Sequence, residues 1–129
     1  MTKGYTLDTN ILSALIREEK GVTEKAEQTQ GVNVTAIAAG ELLFGAYKKK
    51  ASPALLKKVQ NLLRRLPVYN LTLWSPDIWG EQKAILQSRG ITIPDNDLWI
   101  AAIALEHNLT VVTRDAHFNH IEGLTVERW

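Results

Sequence analysis

Pro94-Asp95-Asn96-Asp97-Leu98-Trp99-Ile100-Ala101-Ala102-Ile103-Ala104-Leu105-Glu106-His107-Asn108-Leu109-Thr110-Val111-Val112-Thr113-Arg114-Asp115 decides how the rest of the chain reads. The stretch opens on acids, runs through eight apolar residues from Leu98 to Leu105, turns at His107-Asn108 and returns as a β-branched strand ending on Asp115. A helix over 97–107 rises roughly 15 Å at about 1.5 Å per residue. A strand over 109–113 comes back a similar distance at about 3.3 Å per residue. As antiparallel neighbours the two return Asp97 and Asp115 to one edge. That edge is the carboxyl end of a strand, where open α/β sheets place their ligands.

The chain before this stretch supplies two more acids in comparable positions. Tyr5-Thr6-Leu7 reads as a short strand ending on Asp8, and Ile11, Leu12, Leu15 and Ile16 follow with helical spacing until the polar Arg17–Lys20 and Gly21. Asp8 is either the cap of that helix, a position Asp fills well, or a functional acid. Residues 22–30 are polar and helical in tendency. Gly31 breaks the chain, Val32-Asn33-Val34-Thr35 reads as a second strand, and 36–47 as a helix whose twelve residues hold one charge, Glu41. A lone carboxylate in so apolar a segment costs several kcal/mol if buried, so it must reach solvent, a partner or a metal. Its side chain leans toward the helix N-terminus, the edge where the preceding strand ends.

The composition changes at Lys48. Lys48, Lys49, Lys50, Lys57, Lys58, Arg64 and Arg65 follow one another with no acid between them, while Leu55, Leu56, Val59, Leu62, Leu63 and Leu66 give the buried stripe of a helix. Such a block is either a solvated face or a set of cations that holds the phosphates of a polyanion beside acids that would repel them. Val68–Leu73 reads as a strand. Ser75-Pro76-Asp77 reads as a helix start with Ser75 as cap and Pro76 first, Asp77 and Glu81 as first-turn acids, and closure at Gly90. Phe118 and 124–129 read as packing residues and a last edge strand. The alternation of strands and helices predicts a mostly parallel sheet with helices on both faces, an α/β architecture.

The 129 residues make one domain, 1–129, with 45% hydrophobic and 22% charged residues and a formal charge of +1, ordinary for a globular protein. The absence of cysteine excludes disulfides, thiolate metal sites and cysteine nucleophiles. No apolar run has the length of a membrane span and no export signal opens the chain, which reads as cytoplasmic.

Asp8, Glu41, Asp97 and Asp115 therefore share one edge of the sheet. Carboxylates gathered that closely repel one another unless a cation sits among them. Oxygen ligands without His or Cys select hard ions, Mg²⁺ or Mn²⁺. Such an ion activates water and stabilises charge building on a phosphate, so the site reads as a metal-dependent phosphodiesterase.

At these residues the chain resembles the PIN-domain ribonucleases of the VapC toxin type, over nearly its whole length. Leu7-Asp8-Thr9-Asn10-Ile11-Leu12, Glu41-Leu42-Leu43-Phe44-Gly45, Asn96-Asp97-Leu98-Trp99-Ile100-Ala101-Ala102 and Val111-Val112-Thr113-Arg114-Asp115 are similar to the family's four acidic motifs in order. Phe118, Gly123-Leu124 and Glu127-Arg128-Trp129 are similar to its ending. The resemblance implies a three-layer α/β/α sandwich, a homodimer, endonucleolytic cleavage of RNA (tRNA or rRNA) with Mg²⁺ or Mn²⁺, and a cognate VapB-type antitoxin that blocks the site. It implies that Asp8, Glu41, Asp97 and Asp115 are the catalytic and metal-holding quartet, with Thr113 beside them and Thr9 or Asn10 supporting Asp8. Family members often have Asn where Asp115 stands. Ala38 stands where Thr commonly precedes the second acid, which removes that hydroxyl from Glu41. Asp95 falls where many relatives have no acid and reads as either an outer supporting member of the site or a loop residue. Lys48, Lys49, Arg114 and His117 are the candidate substrate contacts. His107 reads as structural at a helix end, and His117 and His120 as either exposed loop residues or substrate contacts. Trp99 and Trp129 read as packing residues.

Other classes fit less well. A haloacid-dehalogenase-like phosphatase would place a second acid at Asn10, and a receiver domain would place adjacent acids after the first strand. A PIN nuclease of RNA processing differs from a toxin mainly in its partner, and an inactive PIN binding module would not need four acids.

Overall fold

Consecutive residues of the central strands are buried whichever face they point to. Thr6, Leu7, Val111 and Val112 all have 0% exposure, the pattern of a parallel sheet covered on both sides. The computed structural model describes residues 2–48 and 52–129. They form β1 (Tyr5–Leu7), α1 (Thr9–Ile16), α2 (Lys20–Gln28), β2 (Val32–Thr35), α3 (Ala36–Lys48), α4 (Pro53–Arg64), β3 (Val68–Tyr69), α5 (Ser75–Ser88), α6 (Asp95–His107), β4 (Thr110–Val112), a 3₁₀ helix (Ala116–His120) and β5 (Val126–Glu127). The strands pair in the order β3-β2-β1-β4-β5, every pair parallel. Helices complete a three-layer α/β/α sandwich, with α5 packed along α6 and α3 against α1 and α4.

The order of the strands positions the site. From β1 the chain steps outward to β2 and β3, and later fills the other side with β4 and β5. The direction of winding therefore reverses between β1 and β4, the crevice where open α/β sheets bind ligands. Leu7 pairs with Val112 across that boundary, which sets Asp8 and Thr113 side by side at the carboxyl edge. Asn108, in the left-handed region at φ 54°, ends α6 and turns the chain into β4.

Several boundaries differ from the sequence reading. The strand expected over Val68–Leu73 stops at Tyr69. It lies at the sheet edge with one neighbour, and Asn70 Oδ1 accepts the Leu71 amide at 2.8 Å, bending the chain away. Leu73 and Trp74 are left 92% and 72% exposed. Ser75 is not a cap but the first helical residue. Its hydroxyl accepts the Thr72 amide and donates to Glu106 Oε1 at 2.7 Å, tying the loop to α6. Asp77 lies in the first turn and Glu81 beyond it. α6 begins at Asp95, two residues before the expected start, because Pro94 is extended and ready to precede a helix. Trp99 stacks on Trp79 with ring centroids 4.9 Å apart, Trp129 lies tilted against Tyr5, and His107 meets Tyr69 edge-on.

Phe118, fully buried in the 3₁₀ helix, anchors the segment after Asp115 to the core. Phe118→Ala should cost about 3–5 kcal/mol in urea unfolding, against less than about 0.5 kcal/mol for the exposed Trp74→Ala. Equal midpoints for the two variants would disprove the anchoring role.

Candidate active site

Asp8 leaves β1 with its backbone amide donating to Val112 O at 2.9 Å, so the β1–β4 pairing itself places it. The structure shows the cap reading of this residue, with the second carboxylate oxygen turned to the crevice. Its Oδ1 accepts the Thr9 amide at 2.8 Å and caps α1, while Oδ2 accepts the Thr113 hydroxyl at 2.7 Å and the Asn10 amide at 3.3 Å. It is 4% exposed. Burial pushes its carboxyl above the usual range, and the charges of Glu41 and Asp115 add to that. The bonds from Thr113 and Thr9 work against them.

Thr113 and Asn10 lock this corner together. The Thr113 hydroxyl donates to Asp8 and accepts the Asn10 side chain and the Asp115 amide. Asn10 Oδ1 accepts the Arg114 amide at 3.2 Å. The start of α1 and the end of β4 are thus cross-linked on both sides of the crevice.

Glu41 reaches the same edge from α3. Its Oε1 accepts the Thr9 hydroxyl at 2.9 Å and its Oε2 the Asn96 amide at 3.4 Å. Thr9 thus divides its duties: its amide serves Asp8 and its hydroxyl serves Glu41. The hydroxyl that Ala38 cannot supply comes from α1 instead. Ala38 itself is fully buried, with its amide bonded to Thr35 Oγ1.

Asp97 stands in the first turn of α6. Burial pushes its carboxyl up to about 6, and the charges of Asp8, Asp115 and Glu41 act in the same direction against a hydrogen bond from His117. Asp115 caps the 3₁₀ helix by accepting the His117 amide at 2.9 Å. The turn folds the His117 ring back so that Nδ1 lies 3.2 Å from Asp97 Oδ2 and 3.0 Å from Asp115 Oδ1. One donor atom each from Asp97, Asp115 and His117 lie within 4.8 Å of one another. Neither Asp8 nor Glu41 has a Lys or Arg partner among the described residues. A corner that holds like charges this close, one of them buried, fits a divalent cation by the chemistry of its donors.

The remaining candidates lie around this centre. Asp95 is the first residue of α6, not a loop residue, and bonds Lys83 of α5 at 3.0 Å. Lys48 lies over the Phe44 ring at 5.4 Å. With Thr9, Gly40, Glu41 and Asn96, these two line an open trough of about 700 Å³. Lys49 lies outside the described residues. The Arg114 guanidinium is engaged by both oxygens of Glu19 at 3.3 Å and by the Trp129 carbonyl, which makes it a brace for the C-terminus. Two residues were undervalued from sequence. Asn96 precedes Asp97 directly and bonds Glu41. His117 follows Asp115 by two, a spacing that a tight turn converts into contact.

A family model described as PIN domain matches residues 5–124. Ribonuclease VapC2 of Haemophilus influenzae is 30% identical over 128 residues, covering 97% of each chain. The tRNA(fMet)-specific endonuclease VapC of Salmonella typhimurium is 28% identical over 128 residues, again covering 97% of each. Among solved structures, VapBC2 from Rickettsia felis bound to a DNA fragment from its promoter superposes with a TM-score of 0.89. That match has 28% identity and covers 97% of this chain and 98% of that one.

The raised Asp97 carboxyl has a consequence for stability. Because its folded value of about 6 lies above the ordinary aspartate value of 3.8, the native state holds the extra proton between those values. Metal-free stability therefore falls as pH rises through that window, and the penalty is complete above it. Asp97→Asn removes the charge. In EDTA at pH 7.5 it should melt higher than the parent, by about 2 kcal/mol or several degrees, with the gap closing by pH 4. A lower melting temperature at pH 7.5 would disprove the charge crowding.

Proposed function

Because the chain belongs to the PIN-domain family, we propose that it is a metal-dependent endoribonuclease of the VapC type, the toxin of a toxin–antitoxin pair. It hydrolyses RNA phosphodiester bonds at the edge shared by Asp8, Glu41, Asp97 and Asp115, and a VapB-type antitoxin restrains it. The observation that carries the reading is the buried Asp8, bonded only to hydroxyl and amide donors, with three further acids acting on one another beside it.

Asp8, Asp97 and Asp115 are the side chains that would hold Mg²⁺ or Mn²⁺, with Glu41 completing the set from the trough side. The bound ion supplies Lewis-acid activation of water and neutralises charge that builds on the phosphate. The chain's own residues supply geometry. Thr113, Asn10 and the Thr9 amide hold both oxygens of Asp8 in place, so the carboxylate needs no reorganisation when substrate arrives. Thr9 and Asn96 hold Glu41 from opposite sides. Water attacks phosphorus in line with the departing ribose oxygen, the P–O bond to that oxygen breaks as the new one forms, and the proton the water loses ends, by way of solvent, on the departing oxygen as a ribose hydroxyl. The trough past Gly40, Phe44 and Lys48 is open, which suits a polymer strand better than a small metabolite. Lys48 and Lys49 contact flanking phosphates, as the charge of a polyanion requires. The relative from Salmonella typhimurium that carries tRNA in its name makes tRNA the first substrate to try, with rRNA next.

Protein partners need apolar surface, and this chain has it. Phe44 and Tyr47 on α3 are 65% and 60% exposed, and Leu71, Leu73 and Trp74 are exposed in the loop after β3. These residues serve a second copy of the chain and the antitoxin. No helix among the described residues is long and apolar enough to cross a membrane. The protein works as one domain, residues 1–129, in the cytoplasm.

Purified protein, freed of antitoxin, should cut total tRNA or structured rRNA fragments into discrete products with Mg²⁺ or Mn²⁺ and not in EDTA. Asp8→Asn and Asp97→Asn should each lower the rate by roughly 10²-fold or more while leaving circular dichroism unchanged. Absence of cleavage by folded wild-type protein in either metal would leave a binding module in place of the nuclease.

A further inference from the structure

The oxygen-only donor set read from the sequence leaves out the imidazole that the fold brings into the same corner. We propose that His117 is itself a ligand of the metal, through Nδ1, making the centre a mixed nitrogen–oxygen site. The inference rests on the metal-dependent reading above and extends it to a residue outside the four acids.

Three features of the geometry point the same way. A single nitrogen, Nδ1, lies 3.2 Å from Asp97 Oδ2 and 3.0 Å from Asp115 Oδ1. Neighbouring ligands of an octahedral ion with bonds of about 2.1 Å are separated by about 3.0 Å, the bond length times the square root of two. The two nitrogen–oxygen separations therefore match the edges of a coordination octahedron. The same nitrogen is the one shared by both carboxylates: in metal-free protein a proton on Nδ1 bonds them, and with the proton on Nε2 the lone pair of Nδ1 faces the position that all three atoms share.

The position of the ring is built into the chain. The His117 amide donates to Asp115 Oδ1 at 2.9 Å and closes the turn. Phe118, 0% exposed, fixes the next residue in the core. The ring is held from both ends of its own backbone and keeps a side-chain exposure of 44%, so an ion can enter from solvent. The other histidine of this segment, His120, is exposed and outside the cluster.

A nitrogen ligand changes which ions the site favours. Magnesium takes oxygen donors, while imidazole suits the first-row transition ions. The site should therefore hold Mn²⁺ more tightly than Mg²⁺, and by more than carboxylates alone would give.

The test loads metal-free protein with less than one equivalent of Mn²⁺ and records pulsed electron paramagnetic resonance. Wild type should show the ¹⁴N modulation of a directly bound imidazole, and His117→Gln should lack it. Titration should show Mn²⁺ binding weakened roughly tenfold in His117→Gln, with Mg²⁺ binding changed less. A Mn²⁺ complex of wild type without ¹⁴N coupling overturns the proposal, as does coupling that survives in His117→Gln. Either result leaves metal-dependent cleavage standing, with His117 positioning the two acids. Failure to bind Mn²⁺ at all removes the metal reading together with this one, and the cleavage assay in EDTA separates the two cases.

Discussion

The hydrogen bond from the Thr113 hydroxyl to Asp8 is the contact on which this structure turns. A carboxylate that is 4% exposed among strands of Leu and Val is costly, by several kcal/mol when nothing compensates it. Three donors share that cost, each from a different place: the Asp8–Thr9 peptide, the first turn of α1 and the end of β4. The Thr113 hydroxyl is the shortest of these bonds and the one that spans the crevice. Because it also receives Asn10 and the Asp115 amide, the same oxygen fixes the direction in which the chain leaves β4. The placement of Asp115, and hence of the 3₁₀ helix behind it, follows from how Asp8 is satisfied.

Hydrogen bonds solve only part of the problem. Asp97 and Asp8 are both pushed toward their protonated forms, first by burial and then by the neighbouring acids. A fold selected for stability alone would replace one of them with an amide of the same shape. Their presence is a local cost that a bound cation cancels, the usual relation between a charged site and the scaffold that carries it. The surrounding structure is correspondingly robust. α6 has six consecutive or nearly consecutive residues buried beyond Asp97, Leu98 and Ile100 through Ala104, so the acid at its start is carried by one of the most deeply seated elements of the protein.

Much of this was legible in the sequence because the signals were redundant. Strands β1 and β2 each end where an acid or a helix start takes over, and the apolar run 36–47 leaves Glu41 conspicuous. The failures have local physical causes. Val68–Leu73 carries the alternation of a strand, but only an edge with one partner was available to it, and Asn70 supplied a turn. Ser75 has the composition of a cap, and its hydroxyl went to Glu106, thirty-one residues away in sequence. For Ser75 a partner far along the chain outcompeted the local rule, which a reading of neighbours cannot anticipate, whereas Asn70 acted on its own neighbour Leu71.

The arrangement also explains why the sheet must be parallel and in this register. Leu7 stands opposite Val112, so Asp8 and Thr113 emerge together beyond the last paired residues. Side chains alternate faces along a strand, so slipping β4 by one residue would turn Thr113 to the opposite side and present Val112 or Arg114 to Asp8. A valine there leaves the carboxylate short of a donor. An arginine would neutralise the charge that a catalytic cation is meant to meet. Val111 and Val112, both without exposed surface, pin the register through the core. The apolar strand pairing and the polar corner are therefore one constraint seen from two ends: burial of the valines selects the alignment, and that alignment alone brings the hydroxyl to the acid.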